Sequence, residues 1–344
     1  MRFMPRTVAP AADRMRRRDF IALAGGAAGA ASVAAWMAPA QAQTLPVIGY
    51  LGSESPERYA SRLSAFREGL AETGYAEGRN VTIEFRWAEG HYSQLPALAV
   101  DLANRQVTVI VAPGGAEVAL AAKSATTTIP IVFEMGGNPI ALGVVNSLSR
   151  PGGNLTGVSS LSVEVSRKRL EFMREVRPDT KKFAVAVNPT SPTSNSQLKN
   201  LHAAADALGL ELVVLKNSDE QEFGAMFTAV REMQAGGLVF SSDPYFAYRS
   251  QQLAALAVRH AVPAMTQSRD FPLAGGLMSY GGDFGQSHRH TGVYAGRVLK
   301  GEKPSDLPVQ RVTKVELFIN LKAAGNLGIS FPPSLLGIAD RVIE

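Results

Sequence analysis

The chain of 344 residues contains no cysteine. Without a thiol there is no Cys-ligated zinc, no iron–sulfur cluster, no Cys nucleophile, no disulfide framework and no lipid attachment through an N-terminal cysteine. Charged residues are sparse at 19%, and aromatic residues make up 7%. Histidine is scarce too: His91, His202 and His260 are dispersed, and His288 and His290 stand two apart, which on a helix sends them to different faces. The chain has no GxSxG elbow, no HExxH pair, no GxGxxG fingerprint after a strand and no Walker lysine. Neither a metal site nor a cofactor is expected. What is present is 46% hydrophobic residues with 32 Gly and 20 Pro, a globular composition able to bury a large core. At roughly 100–200 residues per domain the length suggests two domains, a single α/β barrel being the other arrangement that fits.

The first 42 residues read as an export signal. Arg14, Arg16, Arg17 and Arg18 precede an Ala/Gly-rich run from Phe20 to Ala38, followed by Pro39-Ala40-Gln41-Ala42. The spacing Arg17-Arg18-Asp19-Phe20-Ile21 resembles the twin-arginine motif, and the small-residue site places cleavage after Ala42. A membrane anchor needs about 20 strongly apolar residues, and Gly25, Gly26, Gly29 and Pro39 dilute this run. Met15 is an alternative start, since every part of the signal follows it. Residues 1–42 hold six of the 35 basic and two of the 30 acidic side chains, so the remainder carries 29 against 28. At a net +1 it lacks the basic stripe that nucleic acid or an anionic membrane requires.

Beyond the signal, strands and helices alternate. Val47–Leu51 is an apolar strand; Pro56 suits a first helical position; Tyr59, Leu63, Phe66 and Leu70 form one buried stripe, with Arg62, Arg67 and Glu68 between them. Further strands are expected near Val81, Val107, Ile131, Phe183, Glu211, Gly237 and Ala264, with clear consecutive gaps of 24 to 28 residues. That spacing implies βαβ crossovers and parallel sheets covered on both faces. Helices are expected over Leu95–Asn104, Glu117–Ser124, Arg167–Val176, Gln197–Leu208, Phe223–Met233 and Gln251–His260. The rhythm breaks between Pro151 and Asp179 and again between Gly275 and Lys300, where Leu277–Tyr280 is a strand and Tyr294, Val298 and Leu299 stripe a helix. Both breaks read as crossings between lobes. The expected lobes are 43–157 plus about 278–303, and 158–277 plus about 304–344, with the Val315–Ile319 strand in the second.

In doubly wound sheets ligands lie beyond the carboxyl ends of the strands, at helix N-termini. The loops at those ends are Ser53-Glu54-Ser55, Pro113-Gly114-Gly115-Ala116 and Glu134 to Pro139 in the first lobe. In the second they are Asn188 to Asn195, Ser241 to Tyr245 and Thr266 to Ser268, with Tyr280 near the second crossing. Asp243 in Ser-Ser-Asp-Pro reads as a helix cap or a ligand contact. Tyr245 and Tyr280 are candidates for stacking on a ligand.

Several stretches are similar to one family over the whole chain past the signal. They are Phe66-Arg67-Glu68-Gly69-Leu70 with Gly74-Tyr75, Glu77-Gly78-Arg79-Asn80-Val81 leading to Arg86-Trp87-Ala88-Glu89-Gly90, and Thr126 to Phe133. Arg150-Pro151-Gly152-Gly153-Asn154-Leu155-Thr156-Gly157-Val158 and Gly275 to Gly281 join them. Together they resemble the ABC-transporter substrate-binding proteins, including tryptophan/tyrosine-uptake types. The resemblance implies a type I periplasmic-binding-protein fold: two doubly wound Rossmann-like lobes joined by crossing strands. It implies capture of a small carboxylate or amino-acid-like solute, aromatic ones among them, without chemistry, by a monomer in the periplasm. Delivery would be to an ABC permease and its ATPase. Carried over by position, Ser53, Gly114, Gly115, Ala116, Gly136, Gly137 and Asn138 hold the polar end of the solute, and Asn188, Asp243 and Tyr280 close from the other side. Asn138 departs from the Asp common before this proline, so a counter-charge for an ammonium comes from Asp243 or Glu134, or the ligand lacks an amine. An exported α/β enzyme and a ligand-sensing domain for a membrane receptor remain open alternatives.

Overall fold

A computed structural model describes residues 45–160 and 162–344; the expected signal lies outside them. The first half alternates as β1 (Val47–Gly52), α1 (Pro56–Glu72), β2 (Thr82–Trp87), α2 (Leu95–Asn104), β3 (Val109–Ala112), α3 (Ala116–Ala125), β4 (Ile131–Met135) and β5 (Leu155–Ser160). Proline opens α1 and α2, where its missing N–H leaves no bond unmade. The second half begins with α4 (Ser166–Val176), β6 (Lys182–Val187), α5 (Ser194–Leu208), β7 (Glu211–Lys216), α6 (Phe223–Glu232) and β8 (Leu238–Phe240). It continues through α7 (Pro244–Tyr248), α8 (Ser250–Arg259), β9 (Ala264–Thr266), α9 (Asp270–Leu273), β10 (Met278–Gly282), α10 (Phe284–Leu299) and β11 (Gln310–Val312). β12 (Val315–Asn320), α11 (Leu321–Asn326), α12 (Pro333–Ile338) and β13 (Arg341–Ile343) complete it.

These strands form two sheets, ordered β11-β5-β4-β3-β1-β2 and β13-β12-β10-β9-β8-β6-β7. The first is parallel throughout. The second is parallel except where β10 meets β12, an antiparallel pairing that the βα rhythm did not announce. Alternate residues of each central strand feed a core on either face: Tyr50 and Val111 on one side of the first sheet, Leu51 and Ala112 on the other. Helix α10 returns to the first lobe and lies against α1 at glycine distance. A Cβ on Gly69 would stand 1.9 Å from the Arg289 carbonyl oxygen, and one on Gly292 would stand 2.1 Å from that of Phe66.

The expected lobe boundaries shift in two places. Met278–Gly282, assigned from sequence to the first lobe, bonds between β9 and β12 in the second sheet. Gln310–Val312, assigned to the second, pairs with Val158–Ser160 and extends the first sheet. Neither strand carries a pattern naming its partner: one is a largely buried Met-Ser-Tyr-Gly-Gly run and the other is a mostly polar edge. The chain therefore crosses between the sheets three times, after β5, after β10 and between β11 and β12.

Candidate functional site

The cleft lies where the carboxyl ends of β1, β3 and β4 face those of β8 and β9, and it encloses a cavity of about 40 Å³. Helices α1, α3 and α5 begin beside it at Ser55, Gly115 and Thr193, and none of these positions supplies a side-chain cap. The positive ends of three dipoles are thus aimed at the cleft. By contrast, Asp243 caps α7 and Asp283 caps α10.

The first-lobe wall is polar, buried and tightly built. Gly114 takes φ of +101°, and a Cβ there would sit 2.2 Å from Tyr59 Oη, so both backbone and space demand glycine. Ser53 donates to the Gly114 carbonyl at 3.1 Å. Glu134 accepts from the Gly114 N–H through Oε2 at 3.4 Å, while its Oε1 has no partner among the described residues. Burial pushes the Glu134 carboxyl above the usual carboxylate range. His288 accompanies it from α10: its Nδ1 contacts the Phe284 carbonyl at 2.8 Å, which makes it the protonated nitrogen and leaves Nε2 a bare acceptor. Burial, then the nearby Arg62, hold this imidazole neutral, with its pKa lowered to about 3. Arg62 itself is bound to Glu54 at 2.7 Å and lies over the Tyr59 and Phe284 rings.

The second-lobe wall is made by Ser162, Thr193, Ser242 and Gln267. Gln197 fixes two of these, donating to Thr193 Oγ1 and the Ser242 carbonyl and accepting from the Ser242 N–H at 2.6 Å. Behind them Arg169 is fully buried, bonded to the carbonyls of Ser162 and Tyr280 and to the hydroxyls of Ser166 and Ser242. None of those partners is charged, and burial lowers its pKa to about 9.

The lobes meet around this cavity. Tyr92 Oη donates to Asp243 Oδ1 at 2.6 Å and accepts from the Tyr245 N–H at 2.7 Å, while its ring packs on cores of both lobes. Ser191 donates to Glu117 Oε1 at 2.6 Å, Arg58 reaches Gln251 at 2.6 Å, and Arg62 stands 3.7 Å from Asp270. Glu117 is pushed up to about 8 by burial and by Asp243 across the interface. Beside the cavity, sharing Glu117, runs a wider groove of about 860 Å³.

Of the residues singled out from sequence, Gly114, Gly115, Ala116, Gly136 and Gly137 line the cavity, with Ser53 directly behind Gly114. The others sit elsewhere. Asn138 is exposed and its Oδ1 accepts from the N–H groups of Ile140 and Ala141. Asn and Asp serve that turn equally, so its identity carries no information about an ammonium. Asn188 folds back on Thr190, and with Tyr245 it lines the wider groove. Asp243 is both cap and interlobe contact, and Tyr280 packs edge-on against Phe172 in the second core. Reading Arg62 as a spacer outside the stripe missed its place three residues after Tyr59, on the buried face of α1. Tyr92, Glu117 and Arg169 carry no site reading in the sequence, Tyr59 is read there only as part of a buried stripe, and His288 only as one of two histidines on different helix faces. The available signals were charge on an apolar helical face at Arg62 and Arg169, and a carboxylate in the first turn of a glycine-led helix at Glu117.

The chain is 28% identical over 262 residues to the "Tyrosine-binding protein" of Clostridioides difficile (strain R20291), covering 74% of this chain and 73% of that one. A conserved domain protein of Vibrio cholerae superposes with a TM-score of 0.80 at 26% identity, covering 87% of this chain and all of that one. An ABC domain of Streptococcus pneumoniae in complex with L-Trp superposes with a TM-score of 0.77, also at 26% identity, with coverage of 87% and 100%. The two-lobed α/β architecture is that of type I periplasmic binding proteins. The family model described as ABC transporter substrate binding protein matches residues 54–343, and the chain belongs to that family.

Proposed function

We propose that the protein is the periplasmic receptor of an ABC importer, taking up a small amino-acid-like solute in the interlobe cavity and presenting the closed form to its permease. The observation that carries this is the cavity itself. Its walls come from both lobes, three uncapped helix N-termini face it, and the lobes bond to each other around it. The dipole of α5, which begins on the second-lobe wall at Thr193, is worth about 0.3–1 kcal/mol to an anionic group at an exposed site and more when partly buried. The lobes turn about the three crossing segments, so contacts made only on closure favour the closed form. No chemistry is done on the solute. Similarity to a tyrosine-binding protein and an L-Trp complex supports an amino acid.

Export by the twin-arginine route, cleavage after Ala42 and a monomeric state belong to the same proposal. Calorimetric titration with single amino acids, followed by recovery of the ligand, tests it: binding of one unmodified molecule per chain supports it, and a chemically altered product refutes it. Replacing Arg17 and Arg18 by Lys should leave the precursor in the cytoplasm; normal export of that variant would remove the twin-arginine assignment alone.

A further inference from the structure

We infer that the solute carries a protonated nitrogen and that Glu134, with Nε2 of His288, is the pair that receives it. This deepens the receptor reading and rests on it. The cavity wall carries three carboxylates, Glu54, Glu117 and Glu134, against one cation, Arg62. Arg62 is already committed, at 2.7 Å from Glu54 and 3.7 Å from Asp270. Glu117 is occupied by Ser191. What remains is an end with acceptors and no charged donor. Glu134 Oε1 and His288 Nε2 accept no well-formed hydrogen bond among the described residues, the neutral hydroxyls of Ser160 and Ser287 being the donors near the Glu134 carboxyl, and the two residues are 2% and 1% exposed. Tyr59 Oη, also without a partner there, can donate or accept.

A solute carboxylate at this end would face Glu134 with no spare cation, in surroundings where an unpaired charge is costly. An ammonium satisfies both acceptors, and its charge draws the burial-raised Glu134 back to the ionised form. His288 cannot serve as the cation, because burial and then Arg62 keep it neutral. The opposite wall has the reverse polarity. Ser162 and Ser242 face the cavity and are bonded from behind by Arg169, a buried guanidinium with only neutral partners. Ser242 spends its own hydroxyl proton on the Ser162 carbonyl, so an α-amino acid would lie with its ammonium at Glu134 and its carboxylate toward the second lobe, where the Arg169 charge stands behind Ser242.

The test uses matched probes that differ only in charge. One set is L-leucine, 3-methylbutylamine and 4-methylpentanoate; the other is L-tyrosine, tyramine and 3-(4-hydroxyphenyl)propanoate. Each is titrated by calorimetry at pH 7 into the signal-free protein and into Glu134→Gln and Glu134→Asp. Loss of the amine is expected to weaken binding by about 10- to 150-fold, the range for a hydrogen bond to a charged group. Glu134→Gln should erase most of that preference, Glu134→Asp should keep part of it, and both should melt near the parent temperature. Acids binding as tightly as amino acids, silence from every amine-bearing probe, or an amine preference intact in Glu134→Gln overturns the charge assignment. In the first and third cases the cleft still stands as a solute site, whereas consumption of a probe would defeat the receptor reading itself.

Discussion

Replacing Tyr92 with Phe removes a single oxygen that bonds across the lobe interface. In the parent, that hydroxyl donates to Asp243 at 2.6 Å and accepts from the Tyr245 N–H at 2.7 Å. Asp243 Oδ1 also accepts from the Tyr245 N–H at 2.7 Å, a bond within the second lobe that the substitution does not touch, so neither lobe should lose its own cap. On the proposed closure mechanism the loss falls on the closed form alone, because parted lobes could not make these interlobe bonds. A hydrogen bond to a carboxylate contributes about 1.5–3 kcal/mol net, and each 1.4 kcal/mol is tenfold. Solute affinity should fall about 10- to 150-fold, mostly through faster dissociation, while the ring keeps its packing on both cores. Stopped-flow fluorescence with calorimetry measures both quantities, and thermal melting of the unliganded protein is the control. Unchanged affinity with a melting temperature lowered by several degrees would refute the assignment and make Tyr92 a packing residue only.

Gly114→Ala should destabilise the fold by at least about 1–3 kcal/mol, since φ of +101° strains any side chain and the new methyl meets Tyr59 Oη; a melt within one degree of the parent contradicts this. Burial, and then Asp243 across the interface, raise Glu117 from an ordinary carboxylate value near 4.5 to about 8, so on the proposed closure mechanism the closed form takes up a proton. That contribution is whole below about pH 4.5 and is lost as pH rises toward 8. Scattering from the free protein should show compaction weakening from pH 5 to 8, and Glu117→Gln should flatten the trend; an equal slope in the variant contradicts it. His288 works in the other direction. Its pKa falls from about 6.5 to about 3 in the folded protein, so its share of stability is lost as pH drops below 6.5, by about 2 kcal/mol at pH 5. Denaturant titrations should show less acid destabilisation in His288→Gln than in the parent, and parallel curves would disprove it.

The element pattern was legible because apolar strands at a near-constant interval leave few alternatives: strands begin at Ile131, Glu211 and Ala264, as the sequence places them. The sheet partners of Met278–Gly282 and Gln310–Val312 were not, since hydrogen-bonding partners of short crossing strands are chosen by tertiary geometry. The glycines of the cavity could be read from loop position. The charged groups could not, because Arg62, Arg169 and His288 sit on helices, where sequence alone reads charge as solvent-facing, and only the packed structure shows them buried. Asp243 and Tyr280 were polar or aromatic residues near the right ends of strands whose side chains turn to an interface and a core instead.

Native mass spectrometry of the signal-free protein titrated with single amino acids tests the central claim most directly. One intact amino acid should bind per chain and leave with its mass unaltered after denaturation. A bound or released species of changed mass would contradict capture without chemistry, and no bound species across all twenty would contradict an amino-acid receptor.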